Sequence, residues 1–218
     1  MDSAYVDIKG TSEAAVGQAT QGCDHGSLMG HTQRSRRDWR GMEVTMELKG
    51  KRVAILAENN YQELELWYPL LRMREAGAEV TVVGMPGVQE YQSKHGYPVK
   101  VDAAADAVTA KDFDAVIVPG GFAPDMMRRH KPMLDLVRGV FERGGIVATI
   151  CHAAWVPISA GIMRGKRATC LSAIKDDLIN AGATYVDEEV VQDGNLITSR
   201  MPTDLPAFCR TIIAALSQ

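Results

Sequence analysis

Short apolar runs alternate with segments of helical periodicity from Lys51 onwards, and this alternation most limits the folds open to the chain. The strand-like runs are RVAILA, AEVTVVG, DAVIVPGG, IVATI, KRATC and NLITS. The helix-like segments are QELELWYPLLRMREAG, PMLDLVRGVFERGG, AAWVPISAG, AIKDDLINAG and PTDLPAFCRTIIAAL. A hairpin with its turn near Gly96 is predicted between the second and third strands. Because several strands are apolar throughout, we expect an α/β fold with a mostly parallel sheet and helices on both faces.

The first part of the chain differs from the rest in composition. It is polar, rich in Gly, Ser, Thr and Gln, and shows no sustained period of a helix or a strand. Such a segment buries too little apolar surface to offset the entropy lost on ordering. We therefore predict one α/β domain over residues 49–218. Residues 1–48 are expected to be a disordered tail, or the result of a start assigned upstream of Met42 or Met46.

Composition excludes several classes of partner. The net charge of −3 lacks the basic surplus typical of nucleic-acid-binding proteins. No apolar run approaches the roughly 18 residues of a membrane span. The N-terminus lacks a basic segment followed by an apolar one, so no secretory signal is indicated. We expect a cytoplasmic protein that binds neither nucleic acid nor membrane.

The cysteine pattern indicates free thiols and no metal site. The four cysteines are widely spaced, and none belongs to a C-x-x-C pair: they are Cys23, Cys151, Cys170 and Cys209. His95 and His130 have no neighbouring residues at metal-ligand spacing. No Walker loop and no G-x-G-x-x-G follows a predicted strand. We expect neither a metal nor another cofactor.

Three segments with chemically suggestive residues lie where predicted strands end: AENNYQELE, VPGGFAPD and TICHAAW. Ligands of parallel sheets bind beyond the carboxyl ends of the strands. A shared site built from these segments is therefore expected.

Cys151 and His152 directly follow the apolar run IVATI. A thiol on a tight turn between strand and helix lies over the sheet edge, as in the nucleophile elbow of hydrolases. The following helix N-terminus is expected to lower the thiol pKa. The alternatives are a buried core cysteine and a surface histidine at a loop start. A core strand continuing past Cys151 would bury an unpaired imidazole at high cost, which favours the functional reading.

Gly120, Gly121 and Glu65 complete the candidate site. Two glycines after a strand allow backbone N–H groups to approach a ligand, as an oxyanion hole requires, although a plain turn would use them too. Glu65 lies four residues before Pro69, which lacks the N–H that would bond to its carbonyl, so the helix is expected to break or begin nearby. Its apolar neighbours favour a desolvated, protonated carboxyl that donates to a thiolate. The alternative is a solvated helix glutamate, which suits Glu63 better.

The blocks AENNYQELELWYPLLRMREAGAEV, KHGYPVKVD, FDAVIVPGGFAPDMMR, ATICHAAW, IKDDLINAGATYVDEEVVQDGNLITSR and PTDLPAF together resemble the ThiJ/PfpI superfamily. Within it they are most similar to the PfpI-like branch of intracellular proteases and protein deglycases. The resemblance covers roughly residues 51–216. Several blocks match in the same order, which makes the signal far more specific than one short motif.

The resemblance implies a flavodoxin-like α/β sandwich and assigns roles to the candidate residues. Cys151 is the implied nucleophile, His152 its partner, and Glu65 the carboxyl beside the thiol. The amides of Gly120, Gly121 and His152 are the implied oxyanion hole. The family forms homo-oligomers, usually dimers or hexamers, in which an acid from a PGG-x-A-P-E segment completes the neighbouring subunit's triad. Here that acid is Asp125.

This chain departs from the family pattern twice. Asp125 is one methylene shorter than the family's usual Glu. Ala153 and Ala154 stand where Gly-Pro often follows the Cys-His pair, which is expected to alter the pocket and hence the substrate.

The function implied by the resemblance is that of a cysteine-dependent hydrolase acting on small carbonyl compounds, on their protein adducts or on peptides. The alternative is a non-enzymatic sensor of oxidative stress, for which Cys151 and Glu65 suffice. A glutamine amidotransferase-like domain needs a catalytic His well downstream of the cysteine. No histidine lies beyond His152, so that interpretation is set aside.

Overall fold

A seven-stranded sheet forms the centre of the domain in the computed structural model, which describes residues 47–218. The main-sheet strands are β1 (Arg52–Leu56), β2 (Glu79–Gly84), β5 (Ala103–Ala104), β6 (Ala115–Val118), β7 (Ile146–Ile150), β10 (Val190–Asp193) and β11 (Leu196–Ser199). The smaller strands are β3 (Glu90–Gln92), β4 (Pro98–Lys100), β8 (Arg167–Ala168) and β9 (Thr184–Tyr185). The helices are α1 (Glu63–Glu75), α2 (Ala123–Met127), α3 (Lys131–Glu142), α4 (Trp155–Ser159), α5 (Lys175–Asn180) and α6 (Leu205–Leu216).

The strand order of the main sheet is β10-β11-β7-β6-β1-β2-β5, and every pair is parallel except β10 with β11. The central five strands follow the flavodoxin-like order 2-1-3-4-5. The connection through α1 runs from β1 to β2, whereas that through α3 runs from β6 to β7 in the opposite direction along the sheet. Right-handed crossovers in opposite directions place these helices on opposite faces. The expected flavodoxin-like α/β fold is thus confirmed.

Helix α1 shows how local sequence sets an element's ends. The side chain of Gln62 caps its first turn by accepting a 2.9 Å hydrogen bond from the Glu65 N–H. Gly77, at φ 94°, ends it in the left-handed conformation that L side chains adopt only at a cost. Of the two predicted alternatives near Glu65, the helix start is confirmed, because α1 begins at Glu63, and the break is wrong, because α1 continues through Pro69.

The smaller strands differ partly from expectation. The predicted hairpin is present as β3 and β4, with Gly96 at φ 82°. The run KRATC gives only the two residues of β8, which pair with β9 outside the main sheet. Strand β10 was not predicted, although Asp193-Gly194 between apolar runs is a common hairpin signal.

The N-terminal boundary of the packed domain lies at least one residue earlier than predicted. The side chain of Leu48 is fully buried, and its N–H donates a 2.8 Å hydrogen bond to the Ala76 carbonyl. The remainder of the predicted tail, residues 1–46, lies outside the described residues. Among the helices described over residues 47–218, none combines the length and apolar character needed to cross a membrane.

Strand order reverses between β1 and β6, which creates a crevice at their carboxyl ends, where ligands of open α/β sheets bind. The segments after β1, β6 and β7 all reach this edge. They are the three segments singled out in the sequence.

Candidate functional site

Cys151 lies at the bend where β7 ends. Ile150 has extended backbone angles, whereas Cys151 has φ 64° and opens a 3-10 turn over Cys151–Ala154. Among the described non-glycine residues, only Asn60 shares a positive φ. A non-glycine residue held in this region stores backbone strain, which the surrounding packing must offset. The strand therefore delivers the thiol to the edge of the sheet in the geometry of a nucleophile elbow.

Glu65 is fully buried beside this thiol. Its Oε2 accepts a 2.8 Å hydrogen bond from the Gly120 N–H, whereas Oε1 is buried without a hydrogen-bond partner among the described residues. Burial raises the pKa of Glu65 to about 7 despite the opposing hydrogen bond from Gly120. A Cβ at Gly120 would lie 2.5 Å from Oε2 and 2.7 Å from the Cys151 Cβ. Only glycine allows the turn after β6 to approach both groups.

The thiol pKa shifts opposite to the direction expected from the sequence. Burial, followed by the charge of the Glu65 carboxylate, raises the pKa of Cys151 to about 12. The residue is only 8% exposed, and α4 begins four residues later, at Trp155. Desolvation therefore outweighs the helix terminus. When Glu65 holds a proton its repulsion of the thiolate disappears, so the two groups titrate as a coupled pair.

Two backbone amides point at the sulfur atom. The N–H groups of Gly121 and His152 donate towards Sγ and lower the thiol pKa. The Gly120 N–H is engaged by Glu65, which corrects its expected place in the oxyanion hole. Gly121 has φ 79°, and a Cβ there would meet the Asn60 carbonyl oxygen at 2.5 Å. The two glycines thus serve different purposes, one binding the carboxyl and one facing the thiol.

His152 contacts Cys151 directly, with Nδ1 3.3 Å from Sγ. Its ring is half-buried, and desolvation lowers its pKa, which favours the neutral imidazole at pH 7. The ring lies between two aromatic side chains. Phe122 stacks on it at a centroid distance of 6.1 Å, and Trp155 packs at 5.3 Å. A neutral imidazole against a thiol is suited to accept the thiol proton.

Asp125 does not join this group within one chain. It lies exposed in the first turn of α2, and its carboxylate has no hydrogen-bond or ion-pair partner among residues 47–218. Nothing in the single chain therefore orients His152 through Asp125.

Phe122 and Trp155 are site residues that the sequence reasoning missed. Each is close in sequence to a residue already singled out, Gly121 or His152, and an aromatic side chain beside such a residue was the available signal. Trp155 is fixed by a 2.8 Å hydrogen bond from Nε1 to Asp177. The Arg128 guanidinium lies 5.6 Å from its ring centroid, within cation–π range.

The other two described histidines lie outside this site and contact carboxylates. His95 Nδ1 lies 2.8 Å from Glu63, and His130 Nε2 lies 3.3 Å from Glu58. Across residues 47–218, no three His, Cys, Asp or Glu side chains are grouped so that they could hold a metal ion.

Comparison with known families matches residues 51–215 to the model described as the DJ-1/PfpI family. The chain belongs to the DJ-1/PfpI family. The match spans all the elements that contribute to the site, from β1 to α4.

Two curated relatives and one solved structure illustrate the similarity of this DJ-1/PfpI member. A deglycase of Pyrococcus horikoshii is 42% identical over 165 residues, covering 76% of this chain and 99% of the relative. General stress protein 18 of Bacillus subtilis is 37% identical over 172 residues, covering 78% of this chain and 99% of the relative. The crystal structure of Drosophila melanogaster DJ-1beta matches with a TM-score of 0.73 and 32% identity, covering 77% of this chain and 90% of the other.

Proposed function

We propose that this DJ-1/PfpI protein is a Cys151-dependent enzyme that acts on reactive carbonyl compounds, namely 2-oxoaldehydes and their adducts on proteins. The arrangement of four groups around one sulfur atom carries the proposal: a buried carboxyl, a neutral imidazole and two amide donors. Several relatives are named deglycases, which favours carbonyl substrates over peptides.

The first step is attack of the thiol on the aldehyde carbon. His152 Nδ1 accepts the thiol proton as Sγ forms the carbon–sulfur bond, and the electrons of the carbonyl double bond move to oxygen. The amides of Gly121 and His152 stabilise the resulting oxyanion. The imidazolium then returns the proton to that oxygen, which gives a hemithioacetal.

A 2-oxoaldehyde then reaches a hydroxy acid without an external oxidant. The C1 proton moves through an enediol to C2, which converts the hemithioacetal into a thioester of the 2-hydroxy acid. Water adds to the thioester carbon, the carbon–sulfur bond breaks, and the thiol regains its proton. The aldehyde carbon is oxidised while the neighbouring ketone carbon is reduced, so the overall reaction adds only water.

Asp125 completes the proposed site from a second copy of the chain. Its carboxylate is exposed and has no partner among residues 47–218, and the same described residues provide no acidic partner for His152. A homo-oligomer, either a dimer or a hexamer, would supply this contact. Asp125 would then fix the ring orientation and stabilise the imidazolium.

Consumption of methylglyoxal and formation of lactate by the full chain test the proposed function. We expect Cys151→Ala to abolish turnover and His152→Ala to reduce kcat by about 10²-fold or more. Cys209→Ser in α6 is the matched thiol control, because that cysteine is buried away from the site. Equal turnover by wild type and Cys151→Ala would refute the proposal, and parallel assays with peptides would detect the protease alternative.

A non-enzymatic oxidation sensor is the second candidate, favoured by Glu65 Oε1, which lies beside the thiol and has no hydrogen-bond partner within the described part of the chain. Two molecules of hydrogen peroxide would convert the thiolate to a sulfinate and release two waters, and a protonated Glu65 would donate a hydrogen bond to the product. Selective oxidation of Cys151 detected by mass spectrometry, without carbonyl turnover in wild type, would favour this function.

A further inference from the structure

The ring of Phe122 forms an exposed wall at the candidate site. Phe122 directly follows Gly121, whose N–H points at Sγ, and its side chain is 66% exposed. The ring is nearly parallel to the His152 imidazole, with an interplanar angle of 24°. A large apolar ring that remains exposed beside a reactive group is available to contact a ligand.

Trp155 forms the wall on the other side of the imidazole, and more contacts hold its side chain in place. Trp155 is anchored by Asp177 and covered by Arg128, whose Nε donates a 3.0 Å hydrogen bond to Ser159 Oγ. Phe122 is held through its backbone, by a 2.9 Å hydrogen bond from its N–H to the Asn60 carbonyl. The imidazole therefore lies between a fixed aromatic wall and an exposed one.

We propose that Phe122 is a specificity-determining residue that binds the apolar or aromatic group carried by the ketone carbon next to the reacting aldehyde carbon. This inference rests on the proposed function, and it specifies which substituent of the carbonyl substrate the site prefers. An aldehyde oxygen held by the Gly121 amide places its carbon next to Sγ, and the acyl group on that carbon, with the substituent it carries, extends towards the adjacent residue, Phe122. An aromatic substituent can stack on the exposed ring, whereas a methyl group covers little of it.

The two aromatic rings lie beside the imidazole, next to the alanine pair that departs from the family pattern. Ala153 and Ala154 are small and buried, whereas the rings of Phe122 and Trp155 contact the imidazole. Two aromatic rings therefore border the imidazole beside the thiol, which favours flat apolar substituents.

The test compares phenylglyoxal with methylglyoxal as substrates of the full chain. We expect wild type to prefer phenylglyoxal in kcat/KM, and Phe122→Ala to reduce that preference by roughly tenfold, mainly through KM. Phe122→Tyr, which keeps the ring, should restore the preference. Ile179→Ala is the matched control, since this exposed apolar residue lies on α5.

If Phe122→Ala lowered kcat/KM by the same factor for both substrates, the proposal would be overturned, because the ring would then only position His152. An altered oligomer mass of Phe122→Ala in light scattering, with an unchanged substrate preference, would also overturn it and assign the ring to a subunit contact. Consumption of neither aldehyde by wild type would instead refute the proposed function itself.

Discussion

The backbone N–H of Gly120 donates a 2.8 Å hydrogen bond to Oε2 of Glu65 and so joins the turn after β6 to helix α1 beside Cys151. This contact holds a carboxyl group in a fully buried position, where its charge is costly. The protonation state of Glu65 therefore adds to the effect of burial on the pKa of the neighbouring thiol.

Replacing Glu65 by Gln should change the pH dependence of Cys151 reactivity. Above pH 7 the carboxylate repels the thiolate in wild type, and the neutral amide removes that repulsion. Below pH 7 both side chains are neutral, so the difference should shrink. We expect the ratio of alkylation rates, variant over wild type, to rise as pH increases from 5 to 9, measured with iodoacetamide and mass spectrometry.

Glu63→Gln is the matched control for this experiment. Glu63 lies on the same helix but accepts hydrogen bonds from Ser93 and His95 instead of approaching the thiol. A rate ratio for Glu65→Gln that stays constant across the pH range would show that the carboxyl does not titrate beside Cys151.

The same carboxyl should make the free energy of unfolding depend on pH. Burial raises its pKa from 4.5 to about 7, so between these values the folded state binds a proton that the unfolded state has released. Its contribution to stability is fully present below pH 4.5 and is lost as pH rises through 7. By proton linkage, this pKa difference changes the free energy of unfolding by about 3 kcal/mol between pH 4.5 and pH 7.

Urea unfolding at several pH values measures this effect against Glu65→Gln, which cannot titrate. The free energy of the variant minus that of wild type should increase from pH 4.5 to 7 and remain constant above. A parallel pH dependence of the two proteins would contradict burial of the titrating group.

The sequence is sufficient to predict the fold. It also predicts that Cys151, His152 and Glu65 lie together at one edge of the sheet. Apolar runs that end in chemically active residues make this possible, because parallel strands place their carboxyl ends together. The dipeptide Asp193-Gly194 between two apolar runs is also a sequence signal for the β10–β11 hairpin.

The thiol pKa and the distinct roles of the two glycines could not be predicted. Both depend on distances of a few ångströms between residues far apart in sequence, such as Glu65 and Gly120. The nearby helix N-terminus favours a lowered pKa of the Cys151 thiol. Burial of the thiol raises its pKa instead, and the extent of burial cannot be read from the sequence.

Gly121→Ala should be far more destabilising than alanine at another glycine with the same backbone conformation. Gly121 and Gly144 have φ 79° and 83°, but a Cβ at Gly144 meets open space. We expect a cost of about 1 kcal/mol for Gly144→Ala from the backbone alone. Gly121→Ala should cost about 2 kcal/mol more, because its Cβ would clash with backbone atoms of Asn60 and Gln62. If urea unfolding gave the same loss of unfolding free energy for both variants, the loop before α1 would have to move aside at little cost.

Cys151→Gly should be more stable than Cys151→Ala. Both variants lack the thiol, but only glycine adopts φ 64° without strain, which favours it by about 1 kcal/mol. Ala153→Gly, in the same 3-10 turn without a positive φ, should instead destabilise by about 0.5–1 kcal/mol. Thermal unfolding of the three variants measures the difference, and a less stable Cys151→Gly would argue against a strained elbow.

Complementation between two inactive variants should reveal whether Asp125 acts across a subunit boundary. In Cys151→Ala the nucleophile is absent, and in Asp125→Ala the orienting carboxylate is absent. Subunits mixed by co-expression form sites in which the Cys151 of one copy meets the Asp125 of the other. In a dimer with random pairing, half of the molecules are heterodimers and each has one intact site of two, so about one quarter of wild-type activity should return. Asp135→Asn is the matched control, because this carboxylate is exposed like Asp125 but pairs with Lys131 on its own helix. No recovery in a mixture shown to contain heterodimers would mean that each subunit supplies its own acid, and full activity of Asp125→Ala by itself would mean that the site does not need this acid.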